Sequence, residues 1–126
     1  MKDDLRLNIT VMDATHDEFL DILSQMKSCQ SADFMTLFED MIEHTKEHFA
    51  FEEDIMDKYN FNDKKEHFDE HINILGEMEY FYNKAKKIPQ FGKSYINDYA
   101  FEKFKRHVLN VDSQLAMFIK DKNISL

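Results

Sequence analysis

Between residues 34 and 59, core-type side chains recur at alternating steps of four and three: Phe34, Phe38, Met41, Thr45, His48, Glu52, Ile55 and Tyr59. Such steps keep one stripe on one face of a helix, which is the seam of a helix packed lengthwise against others. Three further stripes follow the same logic. One runs through Ile9, Met12, His16, Phe19, Leu23 and Met26; a third through His67, Phe68, His71, Ile72, Leu75, Met78 and Tyr82; a fourth through Phe101, Phe104, Val108, Val111, Leu115 and Phe118. The chain has two Gly and one Pro, which suits long helices and leaves little material for β-turns. The expected fold is all-α, an up-down-up-down antiparallel four-helix bundle, with helices over about 10–29, 33–58, 62–87 and 93–120. Residues 1–8 read as a short polar arm and 121–126 as a frayed tail.

A chain of 126 residues supports one domain with one core. Twelve Phe, five Tyr and eight Met without Trp give a soft, aromatic interior. No run of about 18 apolar residues is present, so no membrane span is expected. The start, MKDDLRLN, lacks an apolar stretch of the kind a secretory signal needs. The lone Cys29 cannot form an internal disulfide and fits a cytoplasmic setting; it reads as a helix-end residue without chemistry. A net charge of -9 disfavours nucleic acid and anionic membrane as partners, since both select basic patches.

Two of the seam positions carry His48 and Glu52, so these polar groups are expected to point inward. His67 and His71 repeat the four-residue step. Residues so spaced lie about 40° apart around a helix and about 6 Å apart along it, so each pair can address one cluster. Taken alone, such a pair is more often a solvated face. The turns argue otherwise. In antiparallel helices that hold ligands at one height, each turn falls near the midpoint of the ligands. The midpoint of His16 and His48 is Ala32, inside SCQSAD, where Ser31 or Asp33 could cap the next helix. The midpoint of the His48/Glu52 and His67/His71 pairs is Tyr59–Asn60, inside KYNFND. That of His71 and His107 is Pro89, the chain's one proline. His107 and Asp112 are less regular. Five residues advance an ideal helix so that the two lie about 140° apart, straddling an apolar stripe, and a local π-bulge would bring them closer.

His16, His48, Glu52, His67, His71, His107 and Asp112 together exceed the needs of one ion, which takes four to six ligands. Two octahedral ions offer about twelve positions. Five imidazoles, two bridging carboxylates and one bridging oxygen leave a single position open for a small molecule. Imidazole with carboxylate suits iron, while zinc, copper and nickel share the same ligand chemistry. The sixth histidine, His44, reads as a surface or supporting residue rather than a ligand. Asp13 is expected to be a helix cap or a solvated acid, ahead of an acceptor for His16. Apart from Glu52, the acids at 52–54 and 69–70 read as solvated faces.

The segments THDEF around His16, HFAFEEDIM from His48, HFDEH from His67 and HVLNVD from His107 resemble the hemerythrins over nearly the whole chain. The resemblance implies a non-haem di-iron site with an oxo- or hydroxo-bridge that binds O2, or another small diatomic ligand, reversibly for storage or delivery. It places His67, His71 and His107 on one iron and His16 and His48 on the other, with Glu52 and Asp112 bridging. Phe19, Phe49, Phe104 and Val108 would line a dry ligand pocket. A protective or catalytic role that consumes O2, peroxide or nitric oxide, and a sensing role, use the same site. Ferritin-like oxidation is disfavoured because the Glu-x-x-His motif is missing. Many relatives carry a longer arm with a Trp over the site; this chain has no Trp, which leaves the sealing of the pocket open.

Overall fold

The computed structural model describes residues 5–126, so residues 1–4 of the expected arm lie outside the described part. The described residues are all helical, with no strand. Helix α1 spans Thr10–Ser28, α2 Ser31–Lys58, α3 Lys64–Lys87, α4 Pro89–Asp98, α5 Ala100–His107 and α6 Ser113–Asp121; a π-helical turn, Val108–Asp112, joins the last two. Helix α1 packs on α2, α2 on α3, α3 on α4 and α4 back on α1. Breaks between helices thus fall at Cys29–Gln30, at 59–63 and at Ile88. Pro89 occupies the first turn of α4, where its missing N–H costs nothing and its fixed φ suits the helix start.

Several local expectations differ from what is seen. The fourth stripe is one continuous helix in the sequence reading, but the backbone breaks at Tyr99, whose φ of -125° departs from helical geometry. Asn97 and Asp98 precede it, and both favour local side-chain bonding over helix continuation. Neither Ser31 nor Asp33 caps α2; Gln30 holds that position without a side-chain bond. Tyr59 falls just beyond the end of α2 and is exposed, and Ile72 is 68% exposed on the outer side of α3. The arm is not simply polar: Leu5 and Leu7 are buried. Asp13 fastens it, its carboxylate accepting the backbone N–H of Leu7 at 2.8 Å and of Asn8 at 3.0 Å. Asp13 is therefore a buried arm anchor, neither helix cap nor partner of His16. At the other end, the N–H of Ile124 bonds back to the carbonyl of Ile119, and Asn123 adopts a positive φ of 53°, so that end closes as a capped turn.

Two apolar clusters hold the helices together. One gathers Phe19, Leu23, Met26, Phe34, Phe38 and Met41 with Met78, Tyr95 and Ile96. The other gathers Leu5, Leu7, Met12, Ile55, Met56 and Phe61 with Val108, Leu115 and Ile119. On α1 and α2, His16, His48 and Glu52 fall between residues of the one cluster and residues of the other. The polar layer is thereby clamped by apolar packing on both sides, which holds it in place and keeps bulk water away. Close packing at Gly92 helps. A Cβ there would stand 2.6 Å from the Cβ of Ala85 and 3.0 Å from the Phe34 ring. Gly92→Ala is expected to destabilise by about 1–3 kcal/mol from overpacking, outweighing a helix-propensity gain of about 1 kcal/mol. The check is a fall in Tm of several degrees with retained metal content.

Candidate metal centre

Burying a carboxylate among apolar packing is costly unless hydrogen bonds or cations compensate it. Glu52 on α2 and Asp112 at the end of the π-turn are both fully buried. Each is ringed by imidazoles. Glu52 Oε1 lies 3.0 Å from Nε2 of His67 and 3.0 Å from Nε2 of His71. Its other oxygen, Oε2, lies 2.9 Å from Nε2 of His48. Asp112 repeats the pattern, with Oδ1 3.0 Å from Nε2 of His107 and 3.1 Å from Nε2 of His67, and Oδ2 2.9 Å from Nε2 of His16. Each carboxylate thus turns one oxygen toward His67, His71 and His107 and the other toward His16 and His48.

The π-turn produces half of this. A bond pattern of i to i+5 brings residues five apart onto one face. His107 and Asp112 bracket that turn and meet at 3.0 Å, where an ideal α-helix would hold them far apart in angle. On α2 and α3 the four-residue step suffices.

Two groups of donor atoms result, each within a sphere small enough for one ion. Glu52, His67, His71, His107 and Asp112 form the first; His16, His48, Glu52 and Asp112 form the second. Both carboxylates belong to both groups. Several of these buried atoms have no hydrogen-bond partner, among them Nδ1 of His16, both nitrogens of His48 and Nε2 of His107. Neutral imidazole carries one N–H, so five rings cannot saturate the carboxylates and still offer lone pairs. Donors of this type, converging and orphaned, fit a metal ion better than they fit one another.

The proton balance points the same way. Burial pushes Glu52 up and the Asp112 charge adds to that, yet the facing imidazoles, led by His48, bring it well below the usual carboxylate range. Asp112 is likewise carried down against burial, chiefly by His107, with His16 and His67 adding hydrogen bonds. For His67, burial lowers the pKa, but bonds to Asp112 and Glu52 raise it to about 9. His48 also rises, burial being outweighed by Glu52 and then Asp112. The cluster keeps its carboxylates ionised and attracts positive charge, which protons supply when nothing else does.

The outer faces of the rings vary. Glu53 Oε2 accepts a bond from Nδ1 of His71 at 2.8 Å. Glu70 stands 4.0 Å from Nδ1 of His107. Both acids read as solvated from the sequence. The missed cue is positional: each directly neighbours an inward residue, Glu52 or His71, and so sits at the edge of the buried face. Phe49 stacks on His71 with ring centroids 3.7 Å apart. His44 is in neither donor group. Its Nε2 bonds the carbonyl of Thr15 at 3.1 Å, tying α2 to α1, and its Nδ1 lies 3.6 Å from Glu18. Cys29 is half-buried, its thiol donating to the Met26 carbonyl.

A cavity of about 30 Å³ adjoins the second group. His16, His48, His107 and Asp112 face it, with Phe19, Phe49, Phe104, Ile74 and Met78 supplying apolar walls. Phe19 stacks on Phe104 at 4.4 Å, and Phe104 meets His16 edge-on. Three of the four expected pocket residues therefore line this space. Val108 does not; it is buried in the cluster with Leu5, Leu7 and Met12. One residue past His107, it turns about 100° away from that face. The structure adds polar lining that the sequence did not assign to a pocket, namely Thr15, His44, Thr45, Tyr95 and Lys103.

Residues 7–119 match the family described as the hemerythrin HHE cation binding domain. The chain belongs to the hemerythrin family. A bacteriohemerythrin from Ralstonia nicotianae is 34% identical over 71 residues, covering 56% of this chain and 52% of that protein. The match thus spans about half the length of that curated relative. No solved structure matches the chain. As in the family description, cation binding fits the two clusters of buried His, Glu and Asp donors. Among the described residues, no helix is long and apolar enough to cross a membrane.

Proposed function

We propose that this hemerythrin is an up-down-up-down antiparallel four-helix bundle that holds two iron ions and binds O2 reversibly. His67, His71 and His107 hold one ion, His16 and His48 the other, and Glu52 and Asp112 bridge them. The observation that carries this reading is the unequal pair of donor groups, five and four, sharing both carboxylates. A six-coordinate ion in the smaller group has room for an external ligand after any shared bridge. The small cavity touches both histidines of that group, His16 and His48, but only His107 of the other three. When bound, iron supplies the electrons and the vacant coordination position that a diatomic ligand needs.

The chain's own residues do the rest. Phe19, Phe49 and Phe104 exclude water around the ligand, which slows loss to oxidised product. A space of about 30 Å³ exceeds the roughly 10–15 Å³ that one water molecule needs, so it has room for a diatomic ligand. Glu53 fixes the His71 ring and strengthens its donor nitrogen through the bond at Nδ1.

A second reading, consumption of O2, peroxide or nitric oxide to protect other proteins, draws on the phenol of Tyr95 and the ammonium of Lys103 in the lining. Burial, aided by the Glu77 charge, pushes Tyr95 well above the ordinary phenol range, so its hydroxyl stays a proton donor. Reversible binding takes precedence because Phe19, Phe49, Ile74, Met78 and Phe104 make most of the accessible wall apolar.

An optical titration with an iron assay separates these readings. Anaerobic reduction, admission of air and removal of oxygen should give about two irons per chain and a charge-transfer band that appears and then reverses. Two irons passing straight to a ferric spectrum would support consumption; no iron, or one zinc, would overturn both. His44→Ala should leave iron content near two per chain, since His44 bonds Thr15 rather than either donor group. An empty His44→Ala protein would sink the ligand assignment.

A further inference from the structure

We propose that a surface cleft formed by Asp63, Glu66 and Glu70 over His67 captures ferrous ion, or a similar small divalent cation, and passes it to the three-histidine group. This rests on the reading that the buried donors hold metal. It adds where the metal gets in.

A hydrated dication cannot cross an apolar wall without losing its water uncompensated. The cavity beside His16 is walled mainly by aromatic and aliphatic groups, which makes it a route for neutral gases rather than for ions. The opposite side differs. A cleft of about 210 Å³ is lined by Asp63, Glu66, His67 and Glu70 of the α3 end, with Asn110 and Gln114 facing them. Positions 63, 66, 67 and 70 follow i, i+3, i+4, i+7 and so share one helix face.

The three carboxylates are left without cations. Neither the Asp63 nor the Glu66 carboxylate has a hydrogen-bond or ion-pair partner among the described residues, and Asp63 sits at the start of α3 without making a side-chain capping bond. The two adjacent lysines are engaged elsewhere, Lys64 near Asp57 at 3.7 Å and Lys65 with Asp69 at 3.1 Å. Glu70 approaches only the His107 ring, at 4.0 Å. Like charges at these helical spacings repel, and hard carboxylate oxygens are the preferred first ligands of a small dication.

His67 closes the floor of the cleft. It is 2% exposed, yet it lines the cleft. Its Nε2 faces Glu52 and Asp112 on the inside, while its Nδ1 is buried without a partner. The imidazole ring is thus the partition between the acidic cleft and the donor cluster. An ion held by the cleft carboxylates needs only the movement of this one ring to reach Glu52 and Asp112.

The test is the rate of iron uptake by iron-free protein. Ferrous ion is added anaerobically at several salt concentrations, and filling is followed by competition with a coloured chelator. Asp63→Asn/Glu66→Gln removes two exposed charges that touch nothing else. It should slow uptake roughly threefold to tenfold and flatten its salt dependence, with final content still two ions per chain. Glu70→Gln should slow it further. Glu18→Gln/Glu47→Gln, in the separate cleft that reaches His48, should leave the rate unchanged. Wild-type uptake with unaltered kinetics in the Asp63/Glu66 variant, or slowing only in the Glu18/Glu47 variant, overturns the cleft assignment alone. A wild-type chain that takes up no metal overturns the di-iron reading and this one with it.

Discussion

Glu52→Ala should empty both metal positions together, lowering iron from about two per chain to well below one. Glu52 contributes one oxygen to each donor group, Oε1 toward His67 and His71 and Oε2 toward His48. Removing it leaves four donors on one side and three on the other. It also deletes one of the two buried carboxylate charges that both donor groups share. Breaking a buried charge pair by removing one partner typically costs about 3–5 kcal/mol, and here the lost partner belongs to both donor groups. His71→Ala offers the contrast. His71 belongs to the five-donor group only, so its loss should weaken one ion far more than the other and leave close to one iron per chain. Metal analysis of the two purified variants, alongside far-UV circular dichroism, checks the difference. Two irons retained in Glu52→Ala would mean that the carboxylate is a bystander held by hydrogen bonds, and the bridging role would be abandoned.

The contrast also shows what the sequence exposes. Glu52 and His48 stand at seam positions of a long 4-3 repeat, and a polar residue on such a seam has no solvent to face. Helical periodicity therefore makes α2 and its two site residues readable at once. The His67/His71 step carries the same information on α3. His107 and Asp112 cannot be read that way, because their meeting depends on a π-turn that no hydrophobic period encodes. Their spacing poses the problem without solving it. Asp13, Glu53 and Glu70 were invisible for a different reason. An acid on a charged helix face looks solvated until the tertiary neighbour is known, whether that is the arm backbone for Asp13 or a histidine ring for Glu53. Ile72 fails in the opposite sense, an apolar residue on a stripe that lies one step beyond the buried edge.

Removing the iron should lower Tm by about 10–20 °C at neutral pH, and the gap should widen as pH rises. A ligand present at a thousandfold excess over Kd stabilises by about 4 kcal/mol, and each kcal/mol is worth about 3–6 °C in a domain of this size. The pH dependence follows from the proton balance of the empty cluster. In the iron-free chain, His67 is raised from its ordinary 6.5 to about 9. Its contribution is fully present below about pH 6.5 and is lost as pH climbs through 9. Glu52 and Asp112 are held below their ordinary values. Their contribution is present above about pH 4–5 and is lost only as pH falls through their folded values. Iron-free protein should therefore be most stable near pH 5–6 and weaken toward pH 9. The loaded protein should move the other way over that range. Metal competes with protons for the imidazole lone pairs, so affinity rises as His67 and His48 give theirs up. Tm scans of loaded and iron-free protein from pH 5 to pH 9 would show the two curves diverging. Parallel curves would mean that the protons on His67 and the metal do not share a site.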